Sequence, residues 1–272
     1  VTPAEIDAVL ALLRNVSATE IMPRFKHLSD ADVRTKSGPL DPVTVADEAA
    51  ERALTSGLRA LFPNTDVIGE ESVAADPEML QRLQAPGKVW VIDPIDGTAN
   101  YASDLPLFGV MLALVEADEV LAGFIHDPVC DDTAVALRGG GAWMVAPDGA
   151  RKPMRVADPV PVKQMTGSIS WRYMRQPLRA HVMSRLDRLA GVTDYRCSAH
   201  QYRMLAAGHC HMQMFRRLYP WDHAAGFLIH QEAGGYGRRF DGSVYRPSEI
   251  EGGLLLAPDE ASWFALEEAL LK

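Results

Sequence analysis

Two aspartates, Asp93 and Asp96, stand three residues apart in the stretch Val89–Tyr101, which reads VWVIDPIDGTANY. The residues before them, Val89-Trp90-Val91-Ile92, form an apolar, β-branched run of the length of a buried strand, and the run breaks at Pro94. A carboxylate at the end of a buried strand costs free energy unless its charge is compensated, and two within a few residues repel each other. A divalent cation is the simplest compensation. Hard oxygen donors without a neighbouring His or Cys select Mg²⁺ or Mn²⁺ over zinc. The spacing fails an EF-hand loop, which alternates its acids and closes on a bidentate glutamate. Gly97 and Thr98 follow at once and offer backbone N–H groups to an anion. Metal beside anion points to phosphate chemistry.

Three further acids stand out, each with a purely structural alternative. Asp47 lies three residues after Thr44, the spacing of a capping box. Glu70, with Glu71, ends the short apolar run Val67-Ile68, where acids commonly form a solvated turn. Asp222 opens a helical stretch, where an acid caps N–H groups and complements the helix dipole.

The elements that must position these residues are legible along the chain. Residues 3–25 carry Ile6, Val9, Leu10, Leu13 and Val16 at helical spacing behind Thr2-Pro3. A polar segment, Ser29–Asp41, contains Lys36 and a Gly38-Pro39 break and reads as a loop. Thr44 caps a predicted helix over Val45–Leu61, whose apolar stripe runs from Ala46 to Leu61. After the Val67-Ile68 strand a short helix opens at Asp76-Pro77 and the chain turns at Gly87 into the central strand. Predicted strand pairs follow over Leu107–Val115 with Val120–His126, and over Thr133–Arg138 with Ala142–Ala146. The first half therefore combines helices with a largely antiparallel sheet.

The composition shifts to Pro and Val over Arg151–Lys163, which divides residues 1–150, an α+β domain with most of the acids, from residues 151–272. In the second half strands and helices alternate: strand Thr166–Ser170, helix Leu178–Leu189, strand Thr193–Cys197, helix Ala199–Ala207, strand His209–Phe215. Helix Asp222–Ala233, strand Leu254–Ala257 and helix Asp259–Leu271 complete it. Such alternation predicts an α/β layer.

The chain has 272 residues, 23% charged and 47% hydrophobic, with a formal net charge of −9. That balance suits a globular protein with a real core and disfavours a nucleic-acid partner, which requires a basic footprint. Cys130, Cys197 and Cys210 are odd in number and far apart, so free thiols in a reducing cytosol are expected. No run approaches the length of a membrane span, and the first residues lack the regions of a signal peptide, so a cytoplasmic location is expected. His209-Cys210-His211 has too few further ligands for zinc and alternates with Met212, Gln213 and Met214 as a two-faced strand does. Trp143, Trp171 and Trp263 read as packing residues.

The segment Trp90–Tyr101 resembles the first signature of the inositol monophosphatase family, and Trp221-Asp222-His223-Ala224-Ala225-Gly226, continuing to Gly234-Gly235, resembles its second. Gly69-Glu70-Glu71-Ser72 and Asp41–Asp47 resemble two further family segments, in the family's order. The resemblance implies a layered α-β-α-β-α sandwich that hydrolyses small phosphate monoesters with Mg²⁺, is sensitive to lithium, and forms a homodimer. Glu70, Asp93 and the Ile95 carbonyl would hold one ion. Asp93, Asp96 and Asp222 would hold a second, and a third, weaker ion would sit near Glu70. Paired cations stabilise both attacking and leaving oxygens of a displacement. Thr98 and Asp47, with Glu70 among the catalytic group, would orient and deprotonate water. The N–H groups of Gly97 and Thr98 would hold phosphate oxygens, and Asp222 would help protonate the leaving oxygen. Lys36 would supply positive charge to the phosphate or to the third ion.

The second half departs from the family where substrate is chosen. Inositol-specific members carry a carboxylate about seven residues before the second-signature aspartate; this chain has Phe215, followed by Arg216 and Arg217. The Gly-Thr-Ala-like stretch is replaced by Arg196-Cys197-Ser198-Ala199-His200-Gln201. Arginine in place of glutamate suits a second anionic group on the substrate, because a guanidinium pairs with carboxylate or phosphate. The other reading makes Arg216 and Arg217 a solvated strand end. Histidinol phosphate and fructose 1,6-bisphosphate compete with inositol phosphate as substrates. A non-catalytic binding protein that keeps the fold is the rival from another class; erosion of the acids would mark it, and the acids are intact.

Overall fold

Thr2 and Pro3 start the first helix. The Thr2 hydroxyl and the Glu5 carboxylate close a capping box, and α1 (Pro3–Val16) buries Ile6, Val9, Leu10, Leu13 and Val16. The helix stops short of the predicted residue 25. A π-turn at Ser17–Ile21 takes over, and Pro23 has no N–H with which to continue the ladder. The computed structural model describes residues 1–36, 38 and 42–272. Asp41 and Pro39, named above in a family segment and a loop break, lie outside the described residues. β1 (Val33–Thr35) pairs antiparallel with β2 (Pro42–Thr44), which leads directly into α2 (Val45–Leu61).

β3 (Asp66–Gly69) runs into the short helix α3 (Glu70–Ala75) and lies parallel to β4 (Lys88–Asp96), which ends at α4 (Thr98–Tyr101). From β4 the sheet continues antiparallel through β5 (Gly109–Glu116), β6 (Glu119–Asp127), β7 (Asp132–Leu137), β8 (Gly141–Val145) and β9 (Arg151–Pro153), in chain order. The second half begins with β10 (Thr166–Ile169), α5 (Leu178–Met183) and β11 (Gly191–Thr193). It continues with α6 (Ser198–Ala206), β12 (Met212–Phe215) and α7 (Pro220–Glu232). β13 (Tyr236–Arg239), β14 (Leu254–Ala257) and α8 (Glu260–Leu270) complete it. Its strands form a sheet in the order β11-β10-β12-β14-β13, with β10 parallel to both neighbours and β14 antiparallel to both of its own.

Side-chain alternation assigns the layers. Trp90 and Ile92 of β4 pack with α1 and α2, whereas Val89 and Val91 pack into a cluster with Tyr202 of α6 and Ala224, Ala225 and Leu228 of α7. That cluster also takes Leu254 and Leu256 of β14, while Leu255 and Ala257 turn outward to meet Trp263, Leu266 and Leu270 of α8. The result is an α-β-α-β-α sandwich with α6 and α7 in its middle layer. The helices approach closely: a Cβ added at Gly226 of α7 would lie 2.1 Å from the Tyr202 ring.

Boundaries in the second half differ from the sequence expectation. The strand expected over Thr193–Cys197 ends at Thr193, because Arg196 takes a left-handed φ of 54° and Cys197 becomes the residue before α6. The strand expected from His209 starts only at Met212, where β10 becomes available for pairing. The helix expected over Leu178–Leu189 is two short turns, α5 and a 3₁₀ turn at Leu186–Arg188. Among the described residues no helix is long and apolar enough to cross a membrane.

Candidate active site

The end of β4 builds the centre. Asp93 pairs with Met111 of β5 and Asp96 with Gly109, so three steps on β4 face two on β5, a bulge at Pro94. The bulge places both carboxylates at the strand end, each over nine-tenths buried. Asp93 Oδ1 accepts the Ile95 N–H at 3.1 Å. Asp96 Oδ2 accepts the Ala199 N–H at 2.6 Å and faces the Cys197 thiol, which donates at 2.9 Å. Gly97 turns the chain with a φ of 89°; a Cβ there would sit 3.0 Å from the Leu107 carbonyl and 3.1 Å from Cys197 Cβ. Thr98 opens α4, and its hydroxyl lies 2.9 Å from the Ile95 carbonyl and 3.1 Å from Asp47 Oδ1.

Asp47 satisfies both of its sequence readings. Its Oδ2 accepts the Thr44 N–H at 2.8 Å and the Thr44 hydroxyl at 2.6 Å, the acidic half of a capping box. Its Oδ1 is left for Thr98. Asp222 sits in the first turn of α7, where its charge complements the helix dipole, and its carboxylate joins those of Asp93 and Asp96. One oxygen from each of the three lies within 4.8 Å of the others. Glu70 lines the same cleft from the first residue of α3, but Lys36 Nζ holds it at 2.5 Å and Glu71 at 2.9 Å.

The electrostatics follow from burial. Asp93 is pushed well above the carboxylate range by burial, then by the charges of Glu70, Asp96 and Asp222. Asp96 is raised to about 7 by burial and by Asp222, against the hydrogen bonds from Cys197 and Ala199. Glu70 rises to about 8 through burial, with Lys36 opposing. Burial raises Asp47 to about 7, with the Thr44 hydrogen bonds opposing. Burial works against the Lys36 charge, yet Glu70 and Glu71 outweigh it and hold the ammonium above its usual range. A cluster of acids that resist ionisation, converging on one point with oxygen donors throughout, fits a hard divalent cation. Asp93, Asp96 and Asp222 could hold one, and Glu70 and Ile95 line the same cleft.

These groups open into a cleft of about 160 Å³. Of the residues the sequence marked for substrate, Arg196, Ser198 and Arg217 line it. Lys36 reaches it only through its ion pair with Glu70. Phe215 and Arg216 do not line it. Phe215 is a core residue, stacked on Tyr202 with ring centroids 5.2 Å apart and edge-on to His223 at 4.7 Å. Arg216 turns the other way, to Glu251 at 2.8 Å. Consecutive residues at a strand end point to opposite sides, which sequence reading of the pair could not resolve. Sequence reasoning also missed Ser170, Arg172, Tyr173 and Asp194 on the cleft wall. Their one signal was position: Ser170 to Tyr173 follow a strand of an α/β layer, where such sites collect.

The model of the inositol monophosphatase family matches residues 3–269. A fructose-1,6-bisphosphatase/inositol-1-monophosphatase of Thermotoga maritima is 30% identical over 244 residues, covering 87% of this chain and 85% of the relative. A histidinol-phosphatase of Chlorobaculum parvum is 31% identical over 221 residues, covering 81% of this chain and 80% of the relative. Among solved structures, a Thermotoga maritima IMPase superposes with a TM-score of 0.81 at 26% identity, covering 98% of each chain. With the fold, the acid cluster and these likenesses in agreement, the chain belongs to the inositol monophosphatase family and is a phosphoric monoester hydrolase.

Proposed function

We propose that the chain hydrolyses a small phosphate monoester with Mg²⁺ as cofactor, Mn²⁺ being an alternative, at the cleft between the end of β4 and the start of α7. The observation that carries this is the convergence of the Asp93, Asp96 and Asp222 carboxylates within 4.8 Å beside the Asp47–Thr98 hydrogen bond. Mg²⁺ held by these acids, with Glu70 and Ile95 adjacent, would offset the charge that develops on the phosphoryl oxygens and acidify the attacking water. Asp47, raised to about 7, is suited to accept a proton near neutrality, and Thr98 passes the hydrogen bond between it and the water it orients. The Gly97 and Thr98 N–H groups, at the turn into α4, orient the phosphate oxygens. Asp222, in the first turn of α7, would help return the proton to the leaving oxygen.

Two or three ions per site, lithium sensitivity, a homodimer, and division into units of residues 1–150 and 151–272 belong to the same proposal. Three free cysteines support a reducing compartment. The relatives' names offer inositol 1-phosphate, fructose 1,6-bisphosphate and histidinol phosphate as first substrates to try. Purified protein should release phosphate from such a panel when Mg²⁺ is present and cease when it is chelated. Asp93→Asn should lower kcat by roughly 100-fold or more. No release from any member by protein that binds Mg²⁺ would defeat the reading.

A further inference from the structure

Beside the acids the cleft is lined by Arg172, Arg196 and Arg217, contributed by the second sheet's loops. The Arg217 guanidinium lies 4.4 Å from the Tyr173 ring centroid and 4.7 Å from that of Tyr219. Stacking of this kind fixes the guanidinium plane and leaves its N–H edge for an in-plane partner. Its nearest carboxylate, Asp222, is 4.0 Å away, beyond hydrogen-bonding range. Arg217 Nε is buried without a hydrogen-bond partner. Arg172 lines the same cleft with its Nε 3.2 Å from Asp194, an ion pair that holds its guanidinium in place. Among the described residues the Arg217 side chain donates no hydrogen bond, so its exposed N–H groups are left for an acceptor in the cleft.

These arginines leave little for a cation. Asp194, which also lines the cleft, is paired to Arg172 and accepts the Arg196 N–H at 3.0 Å, so an ammonium on the substrate would find it taken. Phe215 supplies no acceptor for ring hydroxyls, being buried away from the cleft. A second oxyanion would meet the free N–H groups of Arg217 and the charge of Arg172.

We propose that the substrate carries, besides its ester phosphate, a second oxyanion, a carboxylate or another phosphate, which Arg217 and Arg172 bind. This deepens the phosphatase reading and rests on it. The test compares matched pairs with Mg²⁺: 2-phosphoglycerate against glycerol 2-phosphate, and fructose 1,6-bisphosphate against fructose 1-phosphate. p-Nitrophenyl phosphate reports turnover without a second charge. The wild type should favour at least one anionic member over its neutral partner by roughly tenfold or more in kcat/KM, chiefly through KM. Whichever pair discriminates identifies carboxylate or phosphate. Arg217→Gln and Arg172→Gln should each cut that ratio about tenfold, while Arg216→Gln, outside the cleft, should leave the ratio at its wild-type value. Equal use of both members of both pairs, or a ratio unmoved by Arg217→Gln, overturns the proposal. Titration calorimetry with phosphonoacetate and ethylphosphonate reads the same preference without turnover. If none of these esters is hydrolysed, the phosphatase reading falls, and the calorimetric preference and its loss in Arg217→Gln decide the anion site separately.

Discussion

Replacing Asp96 by asparagine should make the protein more stable in the absence of divalent metal, while removing its response to Mg²⁺. Asp96 is held at about 7 in the folded chain against an ordinary 3.8, chiefly by burial and then by Asp222. The folded state thus binds this proton more tightly than the unfolded state. Stability is then highest below the ordinary carboxylate range, declines as pH rises towards about 7, and is flat above. The full loss for such a shift is about 4 kcal/mol at about 1.36 kcal/mol per unit. Asparagine removes the charge and keeps an oxygen for the Ala199 N–H, so part of that loss, about 1–4 kcal/mol, is recovered at pH about 8. For a chain of this size the melting temperature should rise by roughly 3–10 °C in EDTA. At pH about 5 the advantage should shrink by about half or more, because the wild-type group is then largely protonated. Mg²⁺ at a hundred times its Kd should stabilise the wild type by about 2.7 kcal/mol and the variant by much less. Thermal unfolding at the two pH values, with EDTA and with Mg²⁺, measures all four quantities. A variant less stable than wild type in EDTA at the higher pH, or one stabilised equally by Mg²⁺, would refute the account of the cluster.

Three other outcomes follow from the site's geometry. Burial raises Asp47 to about 7, so its base form prevails above that value; kcat should climb with pH through about 7, and Asp47→Asn should lose the limb and about 100-fold in kcat, read from a pH–rate profile. Gly97→Ala forces a side chain onto a φ of 89° and against the Leu107 carbonyl and Cys197, which should cost about 1–2 kcal/mol for the backbone alone and lower the urea midpoint. Gly226→Ala drives a methyl to within 2.1 Å of the Tyr202 ring, which Phe215 holds by stacking, so a loss of about 3 kcal/mol or failure to fold is expected in urea titration.

The acids could be read from sequence because a carboxylate ending a buried strand is physically conspicuous, and Asp93 and Asp96 stand there with no polar tract to excuse them. The central strand, the α2 stripe and the alternation of the second half were legible for the same reason: each has a hydrophobic period matched to its structure. The cleft arginines were legible only in part: Arg196 and Arg217 stood out in sequence, and Arg172 did not. Arg216 and Arg217 are adjacent and chemically identical, and which one meets the cleft depends on the twist at the end of β12, a tertiary property. Nor did β13 declare itself, since Tyr236–Arg239 carries a glycine and two arginines and becomes a strand only by pairing with β14. Arg196 ended a predicted strand early by taking a left-handed conformation uncommon for its type.

The placement of α7 has a consequence for how the protein comes into being. Its body is clamped between two sheets, and its first turn carries the acid that meets Asp93 and Asp96. A nascent chain holds the β4 acids long before that helix is made, and until the helix docks they lack the third member of their cluster. If these three acids hold a divalent ion as proposed, affinity for it is a readout of completed assembly. Partly folded molecules would neither retain the ion nor turn over phosphate esters, and ion binding would draw the last docking step to completion.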